Sequence, residues 1–125
     1  MNNSKFFLRK HFKKKRSLLE IKQVNDLNTR IFQNLLELNI FDKVCYHIYL
    51  SNETNNEVET GKIINLLFKK NKRVFVPKIQ GSNLMNIEIE NNTNYSLNHL
   101  GVKEPLSSNQ KDTNLLEVIF VPLLV

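Results

Sequence analysis

Lys5 and Arg9 stand four residues apart in the stretch KFFLRKHFKKKR, residues 5–16. In a helix that spacing puts both side chains on one face. An ammonium and a planar guanidinium converging there suit a polyanion such as a triphosphate, the one as a point charge and the other as a fork of donors. A short basic face is also what a solvated helix surface looks like. A second group lies in YLSNETNNEVET, residues 49–60, which reads as a strand end, a loop and a helix start. Ligands of open α/β sheets bind outside the carboxyl ends of strands, so Leu50 and Glu57 are candidates to line a site. An acid such as Glu57 at a helix start also serves the helix dipole.

Other chemistries find little support. His11, His47 and His99 are far apart and lack the i+3 or i+4 partner of a metal site, so they read as structural or surface residues. The single cysteine, Cys45, excludes an internal disulfide and a multi-cysteine zinc site and points to a reducing compartment. With 3 glycines in all, the chain contains no glycine-rich phosphate cradle, and it has no Walker A or G-x-S-x-G motif.

Charge is concentrated at one end. Residues 1–16 hold seven of the 18 basic groups and none of the 12 acidic ones, which leaves 11 basic against 12 acidic groups in the rest. A nearly neutral body does not supply a basic groove for nucleic acid. The longest apolar run, VIFVPLLV at 118–125, is far below the roughly 20 residues that span a bilayer. A secretory signal is not expected because charges interrupt the N-terminal apolar residues, although a basic, acid-poor segment is also the composition of an organelle presequence.

The elements that must position these residues follow from periodicity. Ser4 is placed to cap a first helix, and Leu27, Ile31, Leu35 and Leu38 recur at helical spacing in a second segment that Asn39 would stop. KVCYHIYLS (43–51) reads as a buried strand. NEVETGKIINLLFKKN reads as a helix capped by Asn56, with Glu59 in the reciprocal position and a buried stripe of Val58, Ile63 and Leu67. RVFVPKI (73–79) is an apolar strand. After a turn at QGSN, LMNIEIE alternates strictly, with Met85, Ile87 and Ile89 on one face of a strand antiparallel to the previous one. YSLNHL suggests a short helical turn, and EVIFVPLLV a strand at the centre of a sheet. At 125 residues this is a single α/β domain over residues 1–125, with a mixed, mostly parallel sheet.

In this order the segments KFFLRKHFKKKR, IYLSNETNNEVETGKII, KRVFVPKI, NLMNIEIE, LGVKEP and VIFVPLLV resemble the 5-formyltetrahydrofolate cyclo-ligases, also called 5,10-methenyltetrahydrofolate synthetases. The loop before EVET is about two residues longer than usual in that family. The resemblance implies a three-layer α/β/α fold and a cytoplasmic, monomeric enzyme that uses ATP and Mg²⁺ to convert 5-formyltetrahydrofolate to 5,10-methenyltetrahydrofolate. It implies ATP contacts for Lys5 and Arg9, folate contacts for Leu50 and Glu57, and a place for Met85 beside the folate pocket, where core packing is the competing role. Family members continue past the VP-x-L strand into a glycine-rich loop that holds the ATP phosphates. The expectation is therefore a domain lacking its C-terminal third, with weak or no ligase activity by itself. A nucleic-acid-binding module with a basic arm, or a non-catalytic folate-binding remnant, are the alternatives.

Overall fold

The computed structural model describes residues 3–52 and 56–122. Two helices come first, α1 (Asn3–Ser17) and α2 (Ile21–Leu36). Strand β1 (Cys45–His47), helix α3 (Gly61–Lys69), and strands β2 (Arg73–Gln80) and β3 (Asn83–Ile89) follow. A small hairpin of β4 (Tyr95–Leu97) and β5 (Lys103–Pro105) precedes a 3-10 turn at Thr113–Leu115 and strand β6 (Val118–Ile119).

The main sheet has the order β3-β2-β1-β6. β1 is parallel to both β2 and β6, and β2 is antiparallel to β3. This is the expected α/β fold with a mixed, mostly parallel sheet. The β2–β3 register runs from Val74↔Ile89 to Gln80↔Asn83, closed by a turn in which Gly81 has φ 61, a left-handed value that glycine takes without a Cβ penalty.

Period-2 alternation decides which side chains form the core. Tyr46, Ile48, Val74, Val76, Ile87 and Ile89 of the sheet meet Ile63, Ile64 and Leu67 of α3, with Phe32 and Leu35 of α2 packed at the margin. Tyr46 is fully buried, and its hydroxyl donates to the Ile40 carbonyl at 2.7 Å. Burial pushes its pKa up, the Lys43 backbone contact opposes this, and the nearby Asp42 and Glu117 charges add to it. On the opposite face, Phe75 is fully buried beside His47. The chain pairs with the outer edge of β3 at Asn109–Lys111 and then reaches β6 beyond β1. α3 packs on the other face, against Tyr46, Val74 and Val76. Burial holds the His47 pKa below its ordinary value, which leaves the imidazole neutral at pH 7.

Arg73 and Glu88 join β2 to β3 through two hydrogen bonds, at 2.9 and 2.8 Å. Arg73 holds the Glu88 carboxyl below the usual carboxylate range, against an opposing effect of burial. A depressed carboxylate pKa contributes stability that is present above the unfolded value, about 4.3, and is lost as pH falls through the folded value. Glu88→Gln is therefore expected to flatten the acid limb of a stability profile recorded from pH 6 to pH 3 and to leave the profile above pH 6 parallel to wild type. The effect is small because both groups are partly exposed.

Several local expectations are corrected. Ser4 lies inside α1, and α2 ends at Leu36, ahead of Asn39. The third helix begins at Gly61 with Thr60 as its cap residue, so Asn56 and Val58 precede it and the Asn56 amide is used elsewhere. YSL is a strand: Asn98 Oδ1 accepts from the N–H groups of Leu100 and Val102, and Gly101 has φ 74. This turns the chain so that Tyr95–Leu97 pairs antiparallel with Lys103–Pro105. β6 is an edge strand of the described sheet, held to β1 alone. The rest of the apolar run expected there, at 123–125, and positions 53–55 of the expected loop lie outside the described residues.

Candidate functional site

The site is a groove of about 440 Å³ between α3 and the β4–β5 hairpin. At one end are Leu50, Ser51 and Asn52, just beyond the carboxyl end of β1, where open α/β sheets bind ligands. Thr60, Gly61 and Ile64 from the start of α3 form one wall. Tyr95, Leu97 and Lys103 form the facing wall, and the groove extends past Phe68 to Glu90 and Asn91 at the end of β3. Apolar and aromatic surface is thus combined with amide, hydroxyl, one carboxylate and one ammonium group, a lining suited to a flat, polar-edged heterocycle.

Thr60 fixes the junction of strand end and helix. It is 2% exposed, and its Oγ1 accepts from the Ser51 N–H at 3.1 Å while its own N–H donates to Ser51 Oγ at 3.3 Å. The hydroxyl is therefore used across the loop and makes no cap bond to its own helix. Across the groove, Lys103 Nζ lies 5.3 Å from the centroid of the Tyr95 ring, a cation–π placement. Burial raises the Tyr95 pKa, so its hydroxyl stays protonated at neutral pH. Glu104, the next residue on β5, is buried, and its carboxylate accepts from the Ile79 N–H at 2.6 Å. That bond satisfies a donor of β2 beyond the end of β1 and anchors the hairpin.

Of the residues expected from sequence, Leu50 lines the groove. Glu57 is not among the lining residues; it is tied to one of them, its Oε1 accepting from the Asn52 N–H at 2.6 Å. Met85 is partly buried against the core on the α3 side of β3. Lys5 and Arg9 are exposed on α1, and they are not among the groove's lining residues. Ser51, Thr60, Tyr95 and Lys103 were not singled out from sequence. Ser51 and Thr60, within IYLSNETNNEVETGKII, and Lys103, within LGVKEP, did stand in the motif series, whereas Tyr95 lay in the expected helical turn, and nothing local marks an inward-facing side chain in either. Among the described residues no group of three or more His, Cys, Asp or Glu side chains is gathered to hold a metal ion, and no helix is long and apolar enough to cross a membrane.

Fold and groove together define an α/β domain with a groove at the carboxyl end of a parallel strand. The model of the 5-formyltetrahydrofolate cyclo-ligase family matches residues 1–125, and the chain belongs to that family. It is 34% identical over 86 residues to the probable 5-formyltetrahydrofolate cyclo-ligase of Schizosaccharomyces pombe, an overlap covering 64% of this chain and 42% of that protein. Its fold is similar to the 5,10-methenyltetrahydrofolate synthetase of Aquifex aeolicus, with TM-score 0.78 and 20% identity over 92% of this chain and 58% of that one. The synthetase of Mycoplasma pneumoniae is similar with TM-score 0.71 and 20% identity, over 96% of this chain and 64% of that one. The chain thus spans between about two fifths and two thirds of the length of these relatives.

Proposed function

We propose that this chain supplies the folate-recognition part, and one edge of the ATP site, of an enzyme that converts 5-formyltetrahydrofolate to 5,10-methenyltetrahydrofolate. The observation that carries the reading is the match of the whole chain to the cyclo-ligase family, and the groove lined by Leu50 supports it. In this chemistry the formyl oxygen takes the γ-phosphoryl group of ATP and ADP leaves. N10 of the folate then closes on the activated carbon, and inorganic phosphate departs. What the protein must provide is orientation of N10 toward that carbon and positive charge around the moving phosphoryl group.

The groove's aromatic and aliphatic walls, Leu50 among them, would hold the pteridine flat, while the Glu57 carboxylate, held to the groove's Asn52, would turn toward its N–H edge, and Met85 would support the pocket from the core. Lys5 and Arg9, four apart and free of acidic neighbours in α1, would meet the ATP phosphates. The family reading also calls for Mg²⁺. The described side chains form no cluster fitted to it, so none of them is assigned to that ion.

Calorimetric titration of the chain with 5-formyltetrahydrofolate is expected to give saturable binding at one site, and absence of saturable heat would remove the reading. Arg9→Ala is expected to weaken ATP binding, or raise the ATP KM where turnover is measured, by about tenfold, equivalent to about 1.4 kcal/mol. Unchanged ATP affinity would take α1 out of the site. A nucleic-acid role for the basic arm predicts instead DNA or RNA affinity that falls steeply between about 50 and 200 mM salt.

A further inference from the structure

The cations of α1 sit on a largely exposed helix. Phe6 and Phe7 are 70% and 67% exposed, and no described side chain of α1 is fully buried. Its attachment is concentrated at the other end. The Asn56 side-chain amide donates to the Arg16 carbonyl at 3.0 Å, in the last turn of α1, and lies 3.5 Å from the Leu19 carbonyl in the corner before α2. Asn56 has φ 54, a left-handed conformation that asparagine tolerates better than most residues.

Its neighbours extend the connection in both directions. Glu57 is tied back to Asn52 by a backbone bond and a side-chain bond, and Asn52 lines the groove. The Glu59 N–H donates to Asn28 Oδ1 of α2 at 3.0 Å. The Tyr49 hydroxyl, whose pKa is raised first by burial, also feels the Glu57 charge raising it and the Arg16 charge lowering it. The end of α1, the carboxylate of Glu57 and the strand leading to the groove therefore form one local cluster.

We infer that Asn56 is a positioning residue that sets the angle of α1 against the substrate loop, and so couples the basic helix to the folate groove. The ATP consequence rests on the function proposed above; the positional one does not. Arg9 and Lys5 lie seven and eleven residues before Arg16, about 10 and 16 Å along the helix axis. A tilt of about 10° at the Asn56 contact would move Lys5 by roughly 3 Å on that geometry, and displacements of about 1 Å already matter to a reacting group.

Asn56→Gly keeps the left-handed backbone and removes the amide, while Asn56→Asp keeps the size and puts carboxylate oxygens against two carbonyls. Spin labels at Lys13→Cys on α1 and Lys69→Cys on α3, both exposed positions, report the helix angle by pulsed electron resonance without any ligand. One narrow distance distribution is expected in the parent, and a broadened or displaced one in both Asn56 variants. Calorimetry should show ATP affinity falling threefold or more, with 5-formyltetrahydrofolate affinity changed less than twofold. An unchanged distance distribution in both variants overturns the positioning role. A broadened distribution with unchanged ATP affinity supports that role and removes α1 from the ATP site instead.

Discussion

Phe75→Ala is expected to lower the free energy of unfolding by about 3–5 kcal/mol, the range for removing a buried aromatic ring. Phe75 is fully buried in the first half of β2, on the sheet face away from α3. It pairs across to His47 on one side and Glu88 on the other, with the Arg73 guanidinium carbon 5.4 Å from its ring centroid. Alanine leaves a cavity that neighbours on two strands cannot close, because the ladder bonds fix their backbones, and the ring contact with Arg73 is lost with it. Against a domain stability of roughly 5–15 kcal/mol, that is a large share. Urea unfolding monitored by circular dichroism should show the midpoint falling with the slope unchanged, and Phe75→Leu should recover most of the loss. A change below about 1 kcal/mol would mean that the ring is not buried as described, since an exposed ring would cost little to remove.

Thr60→Val is expected to cost about 1–3 kcal/mol, the penalty for leaving a buried donor unmade. Valine matches the shape of threonine, so packing against the start of α3 is preserved and the loss isolates the hydroxyl. That oxygen is the acceptor for the Ser51 N–H. Without it, an amide at the mouth of the groove is left without a partner, and the loop between β1 and α3 gains freedom where the folate is proposed to bind. Thr60→Ser keeps the oxygen and should lie within about 1 kcal/mol of wild type. The pair separates two effects in one titration: Val should weaken 5-formyltetrahydrofolate binding more than Ser does. Equal binding by both would show that the Ser51–Thr60 link stabilises the fold without shaping the site.

The parts of the structure that local chemistry specifies were legible in the sequence. β3 shows its face directly, because Met85, Ile87 and Ile89 alternate with polar residues and a strand's side-chain period is two. The same face of α3 was visible in Ile63 and Leu67, four apart on a helix. The ordered motif series named a family that the whole-chain match then established. Local chemistry also misled where a residue had a stronger distant partner. Asn56 has the residue type of a helix cap, yet its amide is committed to the Arg16 carbonyl 40 residues earlier in the chain. The cap position consequently falls to Thr60, whose hydroxyl is itself committed to Ser51. In YSLNHL, helix-compatible residues became a strand because the Asn98 side chain and a left-handed Gly101 turn the chain onto KEP.

The sequence by itself determined the alternating faces, the basic helix and the family. Tertiary structure alone decided that a groove opens between α3 and the β4–β5 hairpin, that Thr60, Tyr95 and Lys103 line it, and that Asn56 ties α1 to its edge. The physical reason is that periodicity and capping preferences act over a turn or two of chain, whereas a polar side chain is satisfied by whichever donor or acceptor folding brings within about 3 Å. That choice exists only once the strands and helices have packed.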